Sequence, residues 1–146
     1  MQQLGNTKQA STLLYLPTPP TVDAMKPLDY ASLCELNGNH WRKILIILAK
    51  LQCPDEDWRS YRDQQLLRQR EAIIFGDQLL PGKQLHIVAG KASWERVGLD
   101  PEQFLPLEES NRLLQQGNII LTPYPDYRQF PNHLIERLRP IIHASR

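Results

Sequence analysis

Polar groups able to do chemistry crowd into one proline-bracketed turn, Pro123-Tyr124-Pro125-Asp126-Tyr127-Arg128. Asp126 is its only carboxylate and so its candidate general base or water-orienting group. Tyr124, Tyr127 and Phe130 interleave with Arg128, and aromatic faces beside a guanidinium suit base stacking and phosphate contact. Plainer roles are also open: Asp126 can close an Asx-type turn on its own backbone, and Tyr127 and Phe130 can pack the turn against the next helix. A second stretch, Gly90-Lys91-Ala92-Ser93, follows an apolar run and leads into a helix. Free N–H groups at that start, with Lys91 and Ser93 beside them, suit a phosphate or another anion. Alternatively, Gly90 only permits a tight turn and Lys91 is solvated. A third stretch, Pro17-Thr18-Pro19-Pro20-Thr21, is a stiff, hydroxyl-bearing loop that adds Thr18.

His40, His86, His133 and His143 lie on separate segments, without ligand spacing to one another or to Cys34 and Cys53. No metal site and no cofactor is expected. His86 sits in an apolar run and is expected as a satisfied core histidine. No Gly-x-Ser-x-Gly elbow, P-loop or dinucleotide glycine pattern occurs, which argues against acyl transfer, nucleotide hydrolysis and Rossmann redox chemistry.

Three short apolar runs would carry these loops. Ile119-Ile120-Leu121 is β-rich and is stopped by the prolines after it. Thr12 to Leu16 and Leu85 to Ala89 are the other two predicted strands. Asn132 is placed to cap a helix from His133 to about Arg139, where Pro140 ends it. Leu134, Ile135, Leu138, Ile141 and Ile142 share one face of that helix. Asp29 caps a short helix ending at Asn37-Gly38, and Asn39 opens a strong one through Gln52 with Trp41, Ile44, Leu45, Leu48 and Leu51 as its stripe.

Pro54-Asp55-Glu56-Asp57 is an acidic helix start, favourable near the positive end of the helix dipole. The charged segment from Trp58 to about Phe75 follows, with the status of Ile73-Ile74-Phe75 open. A short helix runs from Trp94 to Val97, another from Asp100 toward Phe104, and a further one from Glu108 to Gln116 with Gly117 as its cap. Strands alternating with helices predict an α/β fold of three layers, α/β/α, around a small, mostly parallel sheet. The loops leaving the carboxyl ends of such strands converge on one edge, where ligands bind.

The 146 residues are 41% hydrophobic, which fits a single domain over 1–146 with residues 1–11 loose. Seventeen basic and sixteen acidic side chains leave a formal charge of +1, so no global nucleic-acid signature is present, although a local basic patch remains open. The two unpaired-looking cysteines and the absence of a basic, then apolar, leader predict a soluble cytoplasmic protein. The longest apolar run, Ile44 to Ala49, is far short of the roughly 20 residues that span a bilayer, so no membrane partner is expected.

Four segments in order resemble one known family. Gly38-Asn39-His40-Trp41-Arg42-Lys43-Ile44 resembles the Gly-Asn-Arg-Phe-Trp segment of the mismatch-specific branch of the uracil-DNA glycosylase superfamily. Leu85 to Ala92 resembles that family's strand ending in Gly-Lys-x-Ala. Leu121 to Pro125 followed by a helix is similar to its final Leu-Pro-Asn-Pro-Ser or His-Pro-Ser motif. Thr12 to Pro20 stands where its first strand and Gly-x-Asn-Pro-like loop stand. The resemblance implies a uracil-DNA-glycosylase-like fold and DNA or a nucleotide as partner.

Family members place water with a first-loop Asp or Asn and steady the departing base with a final-motif Asn or His. Here the first loop has neither before Asp23, and Tyr124 and Asp126 stand in the final motif. Tyr124 remains able to donate to a developing oxyanion. Three functions follow as expectations. The first is binding of nucleic acid or a nucleotide through Thr18, Lys91, Tyr124, Tyr127 and Arg128 without standard base excision. The second is hydrolysis of an N-glycosidic bond with Asp126 or Asp23 as base and Tyr124 as donor. The third is a protein-interaction module on the same scaffold.

Overall fold

The structure is a computed structural model and describes residues 2–145. The chain runs β1 (Gln3–Leu4), β2 (Thr12–Tyr15), α1 (Tyr30–Asn37), α2 (Asn39–Gln52), α3 (Trp58–Gln64), β3 (Glu71–Ile74), β4 (Leu85–Ala89), α4 (Lys91–Val97), β5 (Leu105–Pro106), β6 (Leu114–Gln116), β7 (Ile119–Thr122) and α5 (Asn132–Ala144). These strands make one sheet in the order β1-β3-β2-β4-β7-β6-β5. Its centre, β3-β2-β4-β7, is parallel, and β1, β6 and β5 add antiparallel edges.

Tyr15 lies beside Val88, and Ala89 beside Thr122, so β2, β4 and β7 end together at one edge. From β2 the chain builds β3 on one side, then returns to place β4 and β7 on the other. The loops leaving β2 and β4 therefore run in opposite directions across the carboxyl edge of the sheet.

One sheet face, with Leu14, Ile73, Ile87 and Ile120, packs on the helical layer through Ile44, Leu48, Leu134 and Leu138. Each such fully buried aliphatic side chain contributes roughly 1.5–3 kcal/mol. The opposite face, with Leu13, Tyr15, Val88 and Leu121, is covered by Trp94 and Val97 of α4 together with Phe104, Leu79 and Leu80. The fold therefore has three layers, but the second helical layer is the seven-residue α4, one 3-10 turn at Pro101–Gln103 and loops. His86 on β4 is buried and its Nδ1 meets Tyr15 Oη at 2.8 Å, as expected for a core histidine. Among the described residues no helix is long and apolar enough to cross a membrane.

Local signals hold where a side chain caps its own helix. Asp29 accepts from Ser32 N at 2.9 Å to start α1, and Asp57 accepts from Ser60 N at 3.2 Å to start α3. Elsewhere tertiary contacts redraw the predicted elements. The segment 58–75 is not one helix. It turns at residues 65–68, with Leu67 at φ 63°, and Glu71–Ile74 becomes a fully buried inner strand. The Glu71 carboxylate is tolerated there because it accepts from Tyr61 Oη at 2.5 Å and Leu67 N at 2.8 Å.

The segment 108–116 is a loop followed by β6, and Gly117-Asn118 is a hairpin turn rather than a cap. Glu108 itself breaks the predicted helix by drawing the N–H groups of Ser110, Arg112 and Leu113 onto its carboxylate. Pro140 lies inside α5, which continues to Ala144, and Asn132 is not a side-chain cap: its Oδ1 accepts from Lys50 Nζ at 3.1 Å. The described part of the N-terminal segment is tied down, with β1 paired to β3 and Leu4 and Ala10 buried. Met1 lies outside the described residues.

Candidate functional site

A crevice of about 640 Å³ opens where β4 and β7 end. Gly90, Lys91 and Trp94 form one wall, and Pro123, Tyr124 and Gln129 another. The third wall, Asn111 and Arg112, comes from the loop before β6. Among the described residues nothing acidic lines it, while Lys91 and Arg112 bring positive charge.

Each wall has a local cause. Gly90 has φ +86° and ψ 147°, a backbone region that glycine enters without a Cβ penalty. It is also the point of closest approach, since a Cβ there would lie 3.2 Å from Tyr124 Cδ1. Trp94 is fixed on the sheet edge by its Nε1, which donates to the Val88 carbonyl at 2.9 Å. Tyr124 Oη meets His40 Nε2 at 2.8 Å, and the two rings stack with centroids 5.6 Å apart. Burial pushes the Tyr124 hydroxyl above its ordinary pKa, and the nearby Asp126 charge adds to this, so the group stays a protonated donor near neutrality.

Arg112 donates through Nε to Ser110 Oγ at 2.9 Å, and its Nη2 lies 3.1 Å from His133 Nε2. A guanidinium only donates, so His133 Nε2 is the acceptor in this contact. Asn111, beside it, sits at φ 58°, a left-handed position asparagine enters more readily than most residues.

Of the predicted residues, Lys91 and Tyr124 meet in the crevice. Ser93 is buried beneath it, and its Oγ has no hydrogen-bond partner among the described residues. Asp126 accepts from Arg128 N at 2.9 Å and so closes an Asx-type turn. Tyr127 turns to the far side of its loop, into a groove against α2 and α5, where Lys43 Nζ lies 5.7 Å from the ring centre. Arg128 is exposed, and Thr18 is exposed on a loop held to α4 by Arg96, which donates to the Pro17 carbonyl at 2.8 Å. Neither lines the crevice.

Asn111, Arg112, Trp94, Gln129 and His40 were not among the expected site residues. Gly117-Asn118 between two short apolar segments is a two-residue hairpin signal that would have turned 108–113 into a loop. A second cavity, of about 470 Å³ between α2, α3 and α5, has mixed charge, with Asp55, Glu56 and Glu136 against Lys50 and Arg139. Its Arg139 is already engaged, donating to the carbonyls of Lys50 and Asp55.

No curated protein and no solved structure matches the chain. A family profile does, over residues 2–143. The chain belongs to that family, a family of unknown function designated DUF6942.

Proposed function

We propose that the chain binds a nucleotide or a nucleic-acid strand in the crevice at the carboxyl edge of the sheet, without standard base excision. The observation that carries this is the lining: Lys91 and Arg112 beside the rings of Trp94 and Tyr124, with the amides of Asn111 and Gln129 and, among the described residues, no carboxylate. Cations beside aromatic faces hold phosphate and base together, and amides add hydrogen bonds to base edges. The same proposal takes the fold as a divergent uracil-DNA-glycosylase-like arrangement. In its support, three of the four segments that resemble that family's motifs contain β2, β4 and the end of β7, strands that finish at one edge of the sheet, and the fourth meets the last of them through His40 and Tyr124.

Fluorescence anisotropy with a labelled single-stranded oligothymidine, and calorimetry with adenosine monophosphate, test the proposal. Binding of at least one probe is expected, weakening steeply with salt. Arg112→Ala and Lys91→Ala should each reduce affinity and lower the salt slope by about one. Binding that survives both substitutions unchanged, or no binding to either probe, defeats it.

The hydrolase reading keeps one observation in its favour, the Tyr124 hydroxyl at the crevice wall in hydrogen-bond contact with His40. Asp126, spent on its own turn, weakens it. Incubation with uracil-, hypoxanthine- and mismatch-containing oligonucleotides separates the two, because an enzyme leaves abasic sites.

A further inference from the structure

The third wall of the crevice is a loop without regular structure, so something other than a helix or strand must hold Asn111 and Arg112 in place. Its ends are anchored: Leu113 is fully buried, Leu107 packs on the core, and Leu107 N donates to the Leu113 carbonyl at 2.8 Å. Between them the chain bends back on the Glu108 side chain. One carboxylate oxygen accepts from Ser110 N at 3.1 Å and from the Ser110 hydroxyl. The other accepts from Arg112 N at 3.0 Å and from Leu113 N at 3.4 Å. These N–H groups point inward around the carboxylate as a backbone nest points at an anion.

The consequence reaches the side chains. Ser110, drawn in through N–H and hydroxyl, presents its Oγ to Arg112 Nε. Asn111 N donates to the Glu108 carbonyl at 3.3 Å, which completes the left-handed turn at that residue.

We propose that Glu108 is the positioning residue of the crevice: its carboxylate fills the nest of the 108–113 loop and so holds Asn111 and Arg112 opposite Lys91 and Tyr124. It touches no ligand itself. This rests on the crevice being the binding site, and the tests below separate the two ideas. An amide in place of the carboxylate offers one acceptor and a donor, so at least one of the inward N–H groups loses its partner. If the positioned loop then falls to about a tenth of the population, apparent affinity falls about tenfold.

The experiment uses the full chain and its Glu108→Gln, Arg112→Ala and double variants. Amide hydrogen exchange needs no ligand: protection of Arg112 N–H and Leu113 N–H should drop in Glu108→Gln while that of β2, β4 and β7 stays. Retained protection at those two amides overturns the proposal whether or not any ligand binds. With the oligothymidine probe, Glu108→Gln should lose about tenfold in affinity, and this loss should largely disappear in the Arg112→Ala background. Equal losses in both backgrounds would mean a general structural effect and also overturn it. If the parent chain binds neither probe, the function proposed above fails while the exchange result still decides the role of Glu108.

Discussion

Gly90→Ala is the sharpest probe of how the crevice is built, because one methyl group tests both the backbone and the packing. At φ +86° and ψ 147°, residue 90 occupies a region reserved almost wholly for glycine, and an L-residue held there costs roughly 1–3 kcal/mol. The added Cβ would also sit 3.2 Å from Tyr124 Cδ1 and 3.3 Å from Tyr124 Cβ. That is tighter than ordinary van der Waals contact, so the ring must shift, and with it the 2.8 Å contact to His40. An unfolding entropy of about 2.1 cal/mol/K per residue gives roughly 0.3 kcal/mol/K for a chain of 146 residues. The midpoint of thermal unfolding should therefore fall by about 3–10 °C. Circular dichroism melts measure this, and the imidazole resonances of His40 report the loss of its tyrosine partner. A variant that melts within about 1 °C of the parent, with unchanged His40 resonances, would refute the claim that Gly90 is required by strain and close approach.

Three other outcomes follow from groups that do not themselves line the crevice. Glu71→Gln replaces a buried acceptor of two hydrogen bonds, from Tyr61 Oη and Leu67 N, with a group that is half donor. Denaturant unfolding should show a loss of about 1–3 kcal/mol, and no loss would mean the carboxylate is not needed to hold the turn before β3. His86 is pushed below its ordinary pKa of 6.5 by burial, against a smaller opposing contribution from the Gly82 carbonyl. Below that ordinary value the unfolded chain takes up the proton first, so stability should decline as pH falls from about 6.5 and level off once the folded state is protonated too. Melting against pH checks this, and the decline should flatten in His86→Leu whatever its starting midpoint. Glu108 shows the carboxylate case: burial pushes it up, but hydrogen bonds from Ser110, Arg112 and Leu113 outweigh this and leave it lowered. Its loop should hold above the ordinary glutamate range and loosen only as pH falls through the depressed value, read as a falling protection of the Arg112 N–H relative to its intrinsic exchange rate at each pH.

Much of the framework is legible in short stretches of chain. Asp29 and Asp57 announce helix starts because each bonds an N–H three residues on, a contact that needs no distant partner. The stripe through Trp41, Ile44, Leu45, Leu48 and Leu51 marks α2 because burial on one side writes itself as a period. Ile119–Thr122, stopped by Pro123, and Leu85–Ala89, released by Gly90, declare two strands and the loops after them. Two residues of the candidate site, Lys91 and Tyr124, are visible for the same reason.

The remainder depends on partners distant in sequence. Glu71–Ile74 carries a charge and lacks alternation, so it does not look like a strand; it becomes one because neighbours on both faces exclude water and Tyr61 with Leu67 satisfies the carboxylate. Leu114–Gln116 joins the sheet only because Ile119–Thr122 is there to pair with it. Asp126 and Tyr127 share a turn with Tyr124, yet one is spent on backbone and the other faces α2. Arg112 reaches the crevice because a loop closes around Glu108. Composition and periodicity thus determined the long helix α2, the strands β2, β4 and β7 and the stiff loops after them, since those choices rest on neighbours a few residues away. Which side chains share the crevice was decided by strand order and loop closure, because no local pattern records which distant segments will meet.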